Sequence, residues 1–254
     1  MNIKILVATH KNYEMPSDNK LYLPIFVGKD IHPDVNKSFI GDNTGDNISK
    51  KNGQYNELTA LYWAWKNLNA DAVGLVHYRR YFGKKSSKKI DDILTKKQII
   101  ELFKTADIIV PKKRHYWIES NYNHYIHAHP QEPLDFARKV LAEKYPTYLR
   151  AFDKTMSKTS GHILNMFIMK QDDFKDYCQW LFDILDSLET NIDISQYSSY
   201  QKRVFGFVSE RLLDVWIQTN NKSIAETHVV LLENQHWVKK IFNFLRRKFG
   251  GKKQ

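Results

Sequence analysis

The chain of 254 residues carries a single cysteine, Cys178, so no internal disulfide can form and a disulfide-stapled scaffold is excluded. It has 10 glycines, too few for a collagen-like fibre, and its 42% hydrophobic content excludes a wholly disordered chain. No uninterrupted apolar run is long enough to span a bilayer. The N-terminus lacks the basic region, long apolar run and small-residue cleavage site of a signal peptide. With the lone thiol, this leads to the expectation of a reducing compartment, the cytoplasm. Acids are short too: 39 Lys and Arg stand against 28 Asp and Glu, a net charge of +11 with His neutral. Such a balance favours anionic partners: nucleic acid, sugar nucleotides or acidic membrane lipid.

What is present is hydrophobic patterning of two periods. Ile3 to Thr9, Ala72 to Val76 and Asp107 to Val110 read as buried strands. Leu21 to Val27 reads as a strand near an edge because of Pro24, and Asn165 to Met169 and Ile224 to Leu232 as further strands. Leu58, Leu61, Tyr62, Trp65 and Leu68 recur every three or four residues and predict a helix over Tyr55 to Leu68. Helices are also expected over Ile99 to Lys104, Pro133 to Tyr145, Tyr148 to Met156, Phe174 to Leu188 and Val208 to Ile217. Lys113 to His129 is crowded with His, Tyr and Asn, has weak periodicity and is expected as loops over the sheet edge. Strands alternating with helices argue for an α/β fold with a mainly parallel sheet. With neither repeat nor linker, residues 1–235 are expected as one domain, followed by a tail over 236–254.

Several clusters carry chemistry. His77-Tyr78-Arg79-Arg80 follows a strand, where open α/β sheets bind ligands; arginine forks suit phosphate and imidazole can donate to it or bind a metal. Strand alternation points Arg79 and Arg80 in opposite directions. Thr9 and His10 follow the first strand and reach the same edge, or else cap a turn. Asp42 and Asp46 either hold a ribose or cation or cap a turn-rich stretch. His127 sits in an aromatic and imidazole patch suited to sugars or bases, with no recognisable zinc spacing. His162 and Asn165 follow the turn Thr159-Ser160-Gly161. Glu210 is a candidate general base, and Glu57 stands at the analogous place on the earlier helix; both positions equally suit an acid at a helix start.

In the tail, Trp237, Ile241, Phe242, Phe244, Leu245 and Phe249 gather on one helical face, with Lys239, Lys240, Arg246 and Arg247 largely off it. That pattern suits an interfacial helix on anionic lipid, or docking of the apolar ridge onto the protein's own core.

Blocks of the sequence resemble a bacterial family. They are Asp46 to Ser49, Glu57 to Asn67, Gly74 to Phe82, Asn165 to Met169 and Arg203 to Arg211. The family is the capsular and exopolysaccharide biosynthesis glycosyltransferases, long labelled only as a domain of unknown function. The resemblance covers roughly residues 1–220. It implies a GT-A-like nucleotide-sugar-binding fold and an enzyme that transfers a sugar, galactose among the candidates, from a UDP-sugar to a growing, lipid-linked polysaccharide.

On that reading Thr9, His10, Asp42 and Asp46 hold the nucleotide, and Glu57 joins the substrate-binding set. His77, Arg79 and Arg80 face the diphosphate. His127, His162 and Asn165 orient donor sugar or acceptor, and Glu210 is the base of an inverting reaction. GT-A enzymes place Asp-x-Asp after a central strand to hold a divalent ion, whereas His77-Tyr78-Arg79 stands there in this chain. Two readings stand open: cationic side chains replace Mn²⁺ or Mg²⁺, or His77 and a distant carboxylate bind the ion. The resemblance places the enzyme on the inner face of the cell membrane, held peripherally by the tail. Two rivals remain: a nucleic-acid-binding module, for which no zinc finger or RNA-binding aromatic motif is visible, and a non-catalytic scaffold of a polysaccharide complex.

Overall fold

The computed structural model describes residues 1–35 and 38–233. The amphipathic tail expected over 236–254, and the membrane contact assigned to it, lie outside the described residues. Among the described residues no helix is long and apolar enough to cross a membrane.

The strands are β1 (Ile3–Thr9), β2 (Tyr22–Phe26), β3 (Ile40–Gly41), β4 (Ala72–His77), β5 (Arg80–Gly83), β6 (Ile108–Pro111), β7 (Arg114–His115), β8 (Ser160–Gly161), β9 (Phe167–Lys170) and β10 (Ile224–Leu231). The central strands are apolar on both faces because both faces are covered. Leu6 and Ala8 of β1, Val73 and Leu75 of β4, Ile108 and Val110 of β6, and Phe167 and Met169 of β9 pack into one core. Their neighbours Ile5, Val7, Ala72, Val76, Ile109 and Ile168 pack into a second core on the other face. This is the period of two expected of a strand.

The expected GT-A-like fold with an open, mainly parallel sheet is not formed. β3, β2, β1 and β4 are parallel neighbours. Beyond β4 the pairing is antiparallel, except for the parallel pair β10–β6, and closes: β4, β5, β10, β6 and β9 follow one another, and β9 pairs back onto β4, giving a closed five-stranded barrel. Two local features direct this. Tyr78 and Arg79 form a two-residue turn, with His77 opposite Arg80, so the chain reverses instead of crossing over through a helix. Gly74 lies opposite Ile168 where β9 meets β4, and a Cβ there would stand 3.0 Å from both the Ile168 side chain and the Phe167 carbonyl oxygen. Glycine permits the close approach of the closing strand.

The helices are α1 (Asn52–Tyr55), α2 (Leu58–Asn67), α3 (Lys96–Leu102), α4 (Asn121–Ile126), α5 (Glu132–Lys144), α6 (Pro146–Ser157), α7 (Gln171–Asn191) and α8 (Val204–Thr219). α2 and α5 to α8 bury apolar faces in the larger core, and α3 sends Ile99 into the smaller one. The helix expected over Tyr55 to Leu68 is broken at Asn56, whose φ is +52°. Asparagine tolerates this conformation. Its carbonyl accepts from Asn52 Nδ2 at 2.7 Å and its Oδ1 from Arg203 Nε at 2.8 Å. The stretch 113–129, expected as loops, contains β7 and α4; the Ser120 hydroxyl caps α4 by accepting from the Asn123 N–H at 3.1 Å.

Asp42 anchors the loop between β3 and α1. It is fully buried and accepts from the Gly28 N–H at 2.8 Å, the Lys29 N–H at 3.0 Å and the hydroxyls of Ser49 and Thr59. Its partners all belong to the fold. Asp42→Asn puts an amide N–H against one or more of those donors, and is expected to lower the unfolding free energy by about 1–3 kcal/mol. Urea denaturation measures this; an unchanged midpoint would show the loop is held by other contacts.

Candidate active site

β1, β2, β3 and β4 run parallel, so their carboxyl ends share one edge of the sheet. Thr9 ends β1 there, is buried, and donates its hydroxyl to the Lys11 carbonyl at 2.7 Å, closing a turn. His10 is exposed on the rim, its ring edge-on to Tyr78 at 5.4 Å. Burial, then Lys11, Arg79 and Arg203, hold its imidazole below the usual value.

The hairpin turn after β4 separates the two arginines. Arg79 is tied up by Glu233, its Nη1 donating to Glu233 Oε2 at 2.8 Å while its guanidinium lies over the Tyr78 ring. Arg80 lies within electrostatic reach of Glu210, Glu57 and Arg114. Its guanidinium makes no hydrogen bond or ion pair with any described residue.

His77 ends β4. Its Nε2–H donates to the Leu164 carbonyl at 2.8 Å, which leaves Nδ1 as the acceptor of the neutral ring. Burial holds the imidazole below its usual value, against the pull of Glu57 and with help from Arg80. Leu164 and Asn165 both have positive φ, 108° and 51°. Two successive non-glycine residues in that region are strained, and the strain aims the carbonyl at His77 and the amide of Asn165 inward. Asn165 Nδ2 donates to Glu57 Oε1 at 2.7 Å and to the Gly206 carbonyl at 3.2 Å, and its Oδ1 accepts from the Ser209 hydroxyl at 2.9 Å.

Glu210 lies on α8, one turn beyond Gly206. A Cβ on Gly206 would meet the Asn56 amide at 2.6 Å, so glycine lets α8 pack against the break before α2 and brings Glu210 to Glu57. Burial pushes the Glu210 carboxyl up to about 7 and Glu57 adds to the shift; Arg211, Arg80 and Arg114 oppose it. No described residue hydrogen-bonds the carboxyl. Arg114, on β7, likewise has no acidic partner among the described residues; its guanidinium lies 5.6 Å from the Tyr116 ring centre. The site thus combines a carboxyl poised near neutrality, two guanidiniums without ion-pair partners, a second carboxylate held by Asn165 and a neutral histidine. It can take a proton from a hydroxyl and hold an anion beside it.

The fold brings Glu57, His77, Arg80, Asn165 and Glu210 together, with His10 on the rim. It does not bring in Asp46, which is exposed beside Asn67 at the far end of α2, about 15 Å along that ten-residue helix. His127 is exposed after α4 and binds Glu119 Oε1 through Nδ1 at 2.9 Å. His162 is buried between two carboxylates, with Nδ1 on Asp214 and Nε2 on Glu226 at 2.8 Å. Burial alone would raise the Asp214 carboxyl; the hydrogen bonds and charge of His162 overcome it and hold the group low. Arg114 and Asn56 were not singled out from the sequence. Arg114 stands in the basic run Lys112 to His115, and only the register of β7 on β8 distinguishes it from its neighbours.

Among the described residues no group of three or more His, Cys, Asp or Glu is arranged to hold a metal ion. His77 Nε2 donates to Leu164, which leaves Nδ1 as the atom through which His77 would hold Mn²⁺ or Mg²⁺, with Arg80 standing near the carboxylates.

Residues 4–222 match the family described as Domain of unknown function (DUF4422), and the chain belongs to that family. No curated protein matches. Among solved structures the chain is similar to an apo structure of WbbM, a bifunctional glycosyltransferase, at 30% identity with a TM-score of 0.78. That match covers 92% of this chain and 46% of the other, so this chain spans about half the length of WbbM.

Proposed function

We propose that this DUF4422 chain is a glycosyltransferase, moving a sugar from a UDP-sugar to a hydroxyl of a growing, lipid-linked polysaccharide. The likeness to WbbM supports sugar transfer in general. The blocks that resemble capsular and exopolysaccharide enzymes support the polysaccharide acceptor and make galactose a candidate sugar. The observation that carries the reading is the Glu210 carboxyl, raised to about 7 and within electrostatic reach of Arg80 and Arg114, all three without a hydrogen-bonded ion-pair partner among the described residues. The Glu210 carboxylate accepts the proton of the acceptor hydroxyl as that oxygen bonds to the anomeric carbon. The bond from that carbon to the diphosphate oxygen breaks, and UDP leaves with its electron pair. Arg80 and Arg114 meet the charge that develops on the diphosphate, the part a divalent ion plays in other enzymes. His10 and the loop after β1 face the nucleotide, and Glu57, fixed by Asn165, orients the donor sugar.

UDP is expected to raise the melting temperature, by the equivalent of roughly 2.7 kcal/mol at a hundredfold excess over Kd. Thermal unfolding and calorimetric titration with UDP, each with and without added Mn²⁺, test this. Absence of binding under both conditions would overturn nucleotide-sugar use, and tight oligonucleotide binding in its place would favour a nucleic-acid module.

A further inference from the structure

Outside the site described above, the feature with the least internal explanation is the tip between β7 and α4. Trp117 and Ile118 are 83% and 69% exposed, the two most exposed large hydrophobic side chains among the described residues. The segment around them is firmly held. β7 pairs with β8, Arg114 opposite Gly161 and His115 opposite Ser160. Tyr116 is buried, donates its N–H to the Thr159 carbonyl at 2.8 Å, stacks on His124 at 3.8 Å and accepts from Arg211 Nη1 at 3.1 Å. On the far side Glu119 is buried against His127. Between these anchors Trp117 has φ +62°, a left-handed conformation that a bulky L residue rarely adopts. The chain accepts a strained residue and presents its indole to solvent, where burial would have been favourable.

The surroundings of the tip are basic. Lys112, Lys113, Arg114 and His115 are all exposed. The acid beside Lys113, Glu226, is 3.8 Å away and shared with His162. An amphipathic aromatic and a branched aliphatic side chain inside a cationic collar match the membrane interface, where indoles sit at headgroup level and Lys and Arg meet anionic lipid.

We propose that the Trp117-Ile118 tip with its collar of Lys112, Lys113 and His115 is a docking element for an anionic bilayer surface, separate from the C-terminal tail. The indole and the Ile118 side chain enter the interface, and the collar meets lipid phosphates. Because β7 also carries Arg114 into the candidate active site, docking at this tip sets the mouth of that site at the membrane plane. That last consequence rests on the proposed glycosyl transfer to a lipid-linked acceptor; the docking itself does not.

The test uses the full chain, without substrate, and vesicles of phosphatidylcholine alone or mixed with phosphatidylglycerol. The wild type is expected to partition onto the anionic vesicles, and the double variant Trp117→Ser, Ile118→Ser to partition roughly tenfold less. Lys112→Gln with Lys113→Gln should weaken binding to anionic vesicles by roughly fivefold per charge and leave neutral vesicles unchanged. Quenching of tryptophan fluorescence by brominated lipid, compared between wild type and Trp117→Phe, reports the indole directly and places little demand on folding. Loss of the quenched component in the Phe variant supports the proposal. Equal partition of wild type and double variant, or equal quenching, overturns it and leaves attachment to another segment. Unchanged vesicle binding with lost concentration-dependent self-association overturns it in favour of a second copy. Unchanged vesicle binding with lost affinity for an oligosaccharide acceptor overturns it in favour of a glycan platform. Failure of UDP to bind would sink the proposed activity and leave these outcomes unaffected.

Discussion

Glu210→Gln is expected to lower turnover of a UDP-sugar by roughly 10²–10⁴-fold while leaving UDP affinity near the wild-type value. The amide keeps the size and position of the side chain and removes the basic oxygen pair. The wild-type rate should rise with pH through about 7 and then level, because burial and Glu57 hold the Glu210 carboxyl there and only the ionised form accepts a proton. The same variant carries a stability signature of opposite sense. The folded protein holds this acid above its ordinary value of 4.5, so the folded state disfavours the ionised form. The cost is absent below that value, grows as pH rises towards about 7 and is complete above it, with an upper bound on the order of 3 kcal/mol. Glu210→Gln lacks this cost. Relative to wild type the variant should gain stability between about pH 5 and about pH 8, read by denaturant unfolding at both. A variant slower in catalysis and relatively more stable at high pH is difficult to obtain from damage to the fold. Retention of anomeric configuration in the product, seen by NMR, would defeat the base assignment whatever the rate.

Arg80→Ala and Arg79→Ala are expected to differ sharply, although the residues are adjacent. Arg79 is already neutralised by Glu233 at 2.8 Å, and its loss should change kcat/KM by no more than about threefold, as for an exposed ion pair. Arg80 lies beside Glu210 and Glu57 without an ion-pair partner, and its loss should cost roughly 10²–10³-fold in kcat/KM, the scale of removing one preorganised group that meets developing charge. A second readout separates this role from a packing defect. Arg80 lowers the Glu210 carboxyl, so its removal should move the rising limb of the pH–rate profile to higher pH. Steady-state kinetics over a pH series checks both. Equal losses for the two variants, or an unmoved limb in Arg80→Ala, would remove Arg80 from the diphosphate.

The sequence alone determined the local elements and named part of the candidate site. Short apolar runs marked β1, β4, β6, β9 and β10, three-to-four spacing marked α2, and α5 to α8 were expected as helices, because such patterns are properties of a short stretch of backbone. It also singled out His77, Arg80, Glu57, Asn165 and Glu210, which stand near strand ends and helix starts, where titratable residues are conspicuous. Only the tertiary structure decided the sheet. A run of strands and helices reads the same whether the sheet stays open or closes, and closure depends on pairings such as Gly74 with Ile168 that no local pattern encodes. It also decided which candidates share a site. Asp42 and His162 resemble ligand-binding groups in one dimension, yet their polar atoms are taken by donors and acceptors of the fold. Asp46 opens one of the family-like blocks yet lies at the far end of α2 from Glu57. Arg114 is one cation among four until the β7–β8 register places it near Glu210. The physical reason is common to these cases. Burial, hydrogen-bond satisfaction and electrostatic neighbours are set by contacts such as Glu57 with Asn165, 108 residues apart, and the chain's local preferences carry no term for them.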